Sequence, residues 1–287
     1  MRRFEYFEPK TLDDAVSLLS NHAGKADVLA GGTDLLVEIK EHIRAPDYVV
    51  NVKRIPGLGR LDYDVKRGLR FGALVTAREI EISPLTADNY PALRQSAREI
   101  GSIQIRNRAT VAGNICRASP SADTLPPLIA DGASVKIYGS DGERIVPLEE
   151  FFTGPGKTIL KPNELLTEVT VPAPAPHTGS VYIKHGRRKA MELATVGIAV
   201  SLTREGDICR EIRIVLGAVA PTPIRARRAE ALLRGQKLDE RIIDMVAETA
   251  MGESRPISNV RGSADYRREM VRVLTKRAIA QAMDLAR

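Results

Sequence analysis

Pro172-Ala173-Pro174-Ala175-Pro176 constrains this chain more than any other stretch. Three prolines on alternate positions remove three backbone donors and hold φ near −65°, so the segment is neither a helix interior nor a central strand. It reads as a linker dividing the 287 residues into two lobes, 1–175 and 176–287. A weaker break at Ile55-Pro56-Gly57-Leu58-Gly59 splits the first lobe into subdomains of about 1–57 and 58–175.

Within the first subdomain the hydrophobic pattern predicts a β-α-β start. Phe4, Tyr6 and Phe7 are extended, Pro9 marks a turn, and Leu12, Ala15, Val16, Leu18 and Leu19 share one helical face behind Thr11. Val28-Leu29-Ala30 predicts a buried strand, Leu35, Leu36 and Ile39 a short helix, and Tyr48-Val49-Val50 a returning strand. The second subdomain shows strands over 69–73, 135–138 and 165–171 and helices over 76–82, 91–100 and 125–130. In the second lobe, strands over 181–184, 194–202 and 208–216 precede helices over 225–233, 240–251 and 264–285. The expected class is α+β: a two-subdomain region, then a smaller lobe whose antiparallel sheet is covered by helices.

Two glycine-bearing loops stand out: Val28-Leu29-Ala30-Gly31-Gly32-Thr33-Asp34-Leu35 and Thr110-Val111-Ala112-Gly113-Asn114. Glycine permits φ > 0 and lets main-chain N–H groups approach a bulky anion with no Cβ in the way. Two such loops suit a two-phosphate ligand gripped from both sides. The plainer reading makes Thr33 and Asp34 a helix N-cap and Gly-Gly a turn. The usual nucleotide signatures are missing: no G-x-x-x-x-G-K-[ST], no G-x-G-x-x-G, and no G-x-S-x-G elbow. A dinucleotide bound here needs another architecture.

Composition removes several function classes. Cys116 and Cys209 are the only cysteines and form no C-x-x-C pair, which excludes an iron–sulfur cluster or Cys-rich zinc site held by this chain alone. His22, His42, His177 and His185 lack metal-ligand spacing. The net charge of +7 is dispersed, Trp is absent, and no basic run is interleaved with aromatics, so nucleic acid is not the expected partner. No apolar run approaches the ~18 residues of a membrane span. The start, Met1-Arg2-Arg3-Phe4-Glu5, lacks the apolar core of a secretory signal, so the expected location is cytoplasmic.

Further motifs then carry a family resemblance. Phe4-x-Tyr6-x-x-Pro9-x-Thr11-Leu12, Ala30-Gly31-Gly32-Thr33-Asp34, and Ile105-Arg106-Asn107 leading into Thr110–Asn114 resemble the FAD-binding (medium) subunit of the xanthine dehydrogenase and carbon monoxide dehydrogenase family, the molybdenum hydroxylases. Ala220-Pro221-Thr222-Pro223-Ile224-Arg225-Ala226 and Arg261-Gly262-Ser263-Ala264-Asp265-Tyr266-Arg267-Arg268 extend the likeness through the second lobe. It implies a flavin domain of the vanillyl-alcohol-oxidase (PCMH) type over 1–175 and a C-terminal domain of the carbon monoxide dehydrogenase flavoprotein type over 176–287.

By this resemblance FAD lies between the subdomains, its pyrophosphate against residues 28–35 and 110–114. Asp123 falls where the family bonds FAD hydroxyls; the plainer alternative is the N-cap of the helix near Leu125. Ile100 lines the isoalloxazine pocket, Leu166 touches the flavin, and Lys184 places an ammonium near it, favouring the anionic reduced flavin and raising its potential. Two departures concern the second loop, where Ala109 and Ala112 stand at positions usually held by glycine. Asn259 and Glu192 stand where aspartate is common.

The implied function is that of an oxidoreductase subunit with no catalytic acid–base residue and no metal of its own. A large subunit carries the molybdenum cofactor and a small one two [2Fe–2S] clusters, in a dimer of heterotrimers. This chain takes electrons from those clusters onto FAD and passes them to an acceptor such as NAD⁺. Two cysteines and the short stretch after Cys116 argue against the branch with an additional [4Fe–4S] cluster. The alternatives are a stand-alone FAD reductase or oxidase of the same fold and a flavin-free assembly scaffold. The substrate pocket belongs to another polypeptide.

Overall fold

Strand β1 (Glu5–Phe7), helix α1 (Leu12–Asn21), β2 (Ala26–Leu29), α2 (Leu35–Lys40) and β3 (Tyr48–Asn51) open the computed structural model, which describes residues 2–286. Met1, part of the start read for a leader, lies outside the described residues, as does Arg287. Thr11 caps α1 by accepting from the Asp14 N–H at 3.1 Å, and Ala15, Val16 and Leu19 bury the expected face. β3 runs between β1 and β2, parallel to both, with Leu29 opposite Asn51. Residues 30–34 and 52–54 therefore emerge side by side at the carboxyl ends of parallel strands, where open sheets commonly place ligands. The expected buried strand at 28–30 needs correction. β2 is an edge strand ending at Leu29, and Val28, on its open face, is 38% exposed.

The next unit contains β4 (Leu61–Asp64), β5 (Gly68–Gly72), α3 (Ala77–Ile82), α4 (Pro84–Asn89), α5 (Pro91–Arg98), α6 (Ile103–Arg106), α7 (Val111–Arg117) and α8 (Leu125–Ala130). It continues with β6 (Ser134–Gly139), β7 (Gly142–Pro147), the small β8 (Phe152–Gly154) and β9 (Lys157–Thr158) pair, and β10 (Leu165–Val171). Its five-stranded antiparallel sheet has the order β4-β5-β10-β6-β7. Leu69, Phe71, Val135, Ile137, Val169 and Val171 bury one face against Leu93, Ala97, Val111, Ile115, Leu125 and Leu128 of the helices. The second glycine loop is corrected here: residues 111–114 are the first turn of α7, with Thr110 as N-cap.

The linker 172–177 is neither helix nor strand, and its start is pinned by Tyr90. That hydroxyl accepts from Leu69 N–H at 3.0 Å and donates to the Pro172 carbonyl at 2.9 Å. Beyond it, β11 (Thr178–His185), β12 (Val196–Glu205), β13 (Ile208–Gly217) and β14 (Ile224–Arg225) form one antiparallel sheet in that order. Helices α9 (Arg227–Leu233), α10 (Glu240–Glu253) and α11 (Ala264–Leu285) cover one face over Val196, Ile198, Val200, Ile212, Ile214 and Leu216. From the opposite face Tyr182, Ala199 and Val215 enter the core of the first lobe. α9 starts at 227 rather than 225 because Ile224 and Arg225 pair with Leu216 and Val215.

Candidate functional site

Gly31 brings the two glycine segments together. A Cβ there would stand 2.3 Å from the Arg108 carbonyl oxygen and 3.0 Å from Ala109 Cα and Thr110 N, so only glycine fits. Gly32 follows with φ +79°, the left-handed turn that swings the chain towards α2. Among the described residues no acceptor meets the amides of Gly31, Gly32, Thr33, Asp34 or Leu35, which form a row of unspent donors beside that contact. The N-cap reading of Asp34 fails in detail: it occupies the cap position, but its carboxylate bonds no backbone amide. Leu29 and Leu35 are buried beneath the loop and Ala30 is half-buried, so these three shape the turn from below. Arg117 of α7 clamps Glu38 of α2 at 2.7 Å, holding the two segments face to face.

The second segment contributes less than the sequence suggests. Thr110 accepts from Gly113 N–H at 3.0 Å through its side chain, and its carbonyl accepts from Asn114 N–H at 3.0 Å. Val111 N–H is spent on the Val75 carbonyl, which leaves the N–H groups of Thr110 and Ala112 as the segment's open donors among the described residues. The side chains of Val111 and Ala112 face the core, Ala112 being only 3% exposed. The Ala112 methyl therefore points into the core and not out of the segment.

Asn114 joins this segment to the other predicted residues. Its Oδ1 accepts from the Thr124 hydroxyl at 2.6 Å, next to Asp123. Asp123 is not an N-cap. Its Oδ1 accepts from the Tyr182 hydroxyl at 2.8 Å, and its Oδ2 accepts from Lys184 Nζ at 2.9 Å. Both charged side chains are 8% exposed. Burial pushes the Asp123 carboxyl up to about 6, against the opposing pull of Lys184 and Tyr182. Gly197 on β12 leaves room for that phenol, since a Cβ there would meet the Tyr182 oxygen at 2.8 Å. Lys184 is thus no free ammonium; it also donates to the Glu99 carbonyl at 3.1 Å, beside half-buried Ile100. Leu166 sits in the core on β10, beside the irregularity between Leu166 and Glu168.

The Ile105-Arg106-Asn107 motif is a brace. Buried Arg106 donates to Glu81 at 2.7 Å and to the Ile100 carbonyl at 3.0 Å, fixing the segment on which Lys184 rests. In the second lobe, Asn259 Oδ1 accepts from buried Arg267 at 2.6 Å. Glu192 lies among Arg188 at 3.0 Å, Arg187 at 3.8 Å and Arg261 at 3.9 Å. Burial pushes the Glu192 carboxyl up, and the guanidiniums outweigh it, so it is held below the usual carboxylate range. A cavity of about 560 Å³ opens elsewhere at the lobe junction, lined by Asp131, Ser180 and Arg213 and by none of the predicted residues.

One connected cluster thus runs from Gly31 through Thr110, Asn114, Thr124 and Asp123 to Lys184, drawing on both lobes. Free amides over a surface that tolerates no Cβ fit a dinucleotide's phosphates, and the buried carboxylate offers acceptors for hydroxyls. Residues 2–174 match the family model of the FAD binding domain in molybdopterin dehydrogenase, and residues 181–282 match that of the CO dehydrogenase flavoprotein C-terminal domain. The chain belongs to the FAD-binding subunits of the molybdenum hydroxylases. This FAD subunit is 33% identical to the putative xanthine dehydrogenase FAD-binding subunit of Escherichia coli (strain K12), over 98% of this chain and 96% of that one. It superposes on a chain of carbon monoxide dehydrogenase from Hydrogenophaga pseudoflava with a TM-score of 0.95 and 35% identity, covering 99% and 98%. For quinoline 2-oxidoreductase from Pseudomonas putida 86 the values are 0.92 and 30%, covering 99% and 98%.

Sequence reasoning missed Tyr182, Lys53 and Arg108. The last two were legible only as basic residues close to each glycine segment or to the neighbouring strand end. Among the described residues no group of acidic, His and Cys side chains is placed to hold a metal, and no helix is long and apolar enough to cross a membrane.

Proposed function

We propose that this FAD subunit delivers electrons within a cytoplasmic molybdenum hydroxylase, from the [2Fe–2S] clusters of a small partner subunit to NAD⁺. A large partner holds the molybdenum cofactor, and the assembly is a dimer of heterotrimers. The observation that carries this reading is the unbroken cluster from Gly31 to Lys184, in a chain similar over nearly its whole length to such subunits.

When bound, FAD supplies a centre able to exchange electrons singly or in pairs, joining one-electron clusters to a two-electron acceptor. The chain's own residues bind and orient it. Amides 31–35 and Ala112 N–H donate to its phosphate oxygens, and Thr33 adds a hydroxyl. Asp123, with one lone-pair direction left on each oxygen, accepts from ribityl hydroxyls while Tyr182 and Lys184 hold it in place. Ile100 walls the ring pocket, and Leu166 backs it from the core. No side chain of the cluster is needed to move a proton.

Tagging this chain in its native host and measuring flavin, iron and molybdenum in the purified material tests the proposal. All three are expected together, with reoxidation of the substrate-reduced complex by NAD⁺. Flavin without iron or molybdenum marks a stand-alone enzyme, and absence of flavin marks a scaffold. Reoxidation by other acceptors but not NAD⁺ removes the assigned acceptor.

A further inference from the structure

Two cations near the first glycine loop have no salt-bridge partner among the described residues. Lys53 lies just beyond β3, and its Nζ donates to the Ala30 carbonyl at 3.0 Å, leaving two ammonium protons unspent. Arg108 supplies the carbonyl against which Gly31 packs. Its exposed guanidinium has no carboxylate within salt-bridge distance and no hydrogen-bond acceptor among the described residues.

Neighbouring cations are neutralised. Arg54 faces Glu8 at 3.9 Å, Arg106 meets Glu81 at 2.7 Å, and Arg117 meets Glu38 at 2.7 Å. Glu8, the acid whose field Lys53 feels, already accepts from Asn51 at 2.9 Å. Burial and the nearby Arg108 both push the Lys53 ammonium below its ordinary range, against a smaller opposing pull from Glu8, so two like charges repel here. Beside them lies the row of amides at 31–35, which are neutral donors. A pyrophosphate brings about two negative charges, which amides hydrogen-bond but do not balance.

Building on the flavin reading above, we infer that Lys53 and Arg108 are phosphate-binding residues of this site, supplying counter-charge to the pyrophosphate and selecting FAD over riboflavin. The amides fix the position of the phosphate oxygens. The two side chains make occupancy depend on the presence of those oxygens.

The test uses the full chain stripped of flavin. FAD and riboflavin are titrated separately and followed by quenching of flavin fluorescence. Lys53→Met and Arg108→Met alter exposed side chains, and melting curves verify that both variants fold. Each is expected to weaken FAD about ten-fold, the size of one lost charge-assisted hydrogen bond, and to flatten its salt dependence. Riboflavin affinity is expected to stay unchanged. FAD affinity equal to wild type in both variants overturns the inference, as does an equal loss for riboflavin. A wild-type chain that binds neither ligand overturns the flavin reading, and this inference with it.

Discussion

Gly31 and Ala112 show how differently two small residues of one site are constrained. Gly31 has backbone where a side chain would stand, whereas the Ala112 methyl is buried in the core. Ala112→Gly is therefore expected to leave FAD affinity unchanged while destabilising the fold by roughly 1–2 kcal/mol, from helix propensity and lost burial. Parallel flavin titration and denaturant unfolding check both halves. The sequence marked Asp123 and Lys184 as separate flavin contacts, but their mutual pairing was illegible because 61 positions separate them. That pairing changes the expected role of Lys184. Without the ammonium, Asp123 should titrate above about 6. Lys184→Met is then expected to lower the flavin reduction potential at a pH above both carboxyl transitions, and to change it least between the wild-type transition near 6 and the variant's higher one, where only the variant carboxyl has taken up a proton. Potentiometry across that range decides it; a potential equal to wild type at every pH would refute the role.

Elements with a strong period were readable and short capped ones were not. Helices α1, α5, α10 and α11 and strands β10, β12 and β13 carry clear apolar stripes, whereas α4, α6, β8 and β9 span six residues or fewer. α7 escaped because its Gly113 suggests a loop, while the Thr110 hydroxyl three residues earlier makes that same residue part of a capped first turn. The Arg106 brace belongs here too: it ties α3 to α6 and to the strip carrying Ile100. Arg106→Ala leaves Glu81 with Arg78, at 3.0 Å, as its remaining partner, so the lost charged hydrogen bonds are expected to cost about 2 kcal/mol in denaturant unfolding. A loss below about 0.5 kcal/mol would contradict the brace, since that is the range of surface substitutions.

Across the whole molecule, the proline linker announced two lobes but gave no sign of how closely they join. Tyr182, Ala199 and Val215 complete the first lobe's core, and Ser180 donates to Asp131 at 2.9 Å across the junction. Burial pushes the Asp131 carboxyl up to about 6, with Ser180 pulling the other way. The folded state thus holds the proton more tightly than the unfolded chain, so ionisation weakens the junction as pH rises through 6. Asp131→Asn is expected to raise unfolding free energy by on the order of 2 kcal/mol at pH 7.5, a gain that fades below pH ~4. Urea unfolding at the two pH values tests the sign. The same close junction joins the segments near residues 31, 110 and 184 into one cluster, as the proposed flavin site requires. Flavin bound per folded chain, measured by absorbance in wild type and Gly31→Ala, puts that arrangement to the test. About one FAD per wild-type chain and almost none in the variant, with matching circular dichroism, is the expected result. Full flavin occupancy in the folded variant would contradict it.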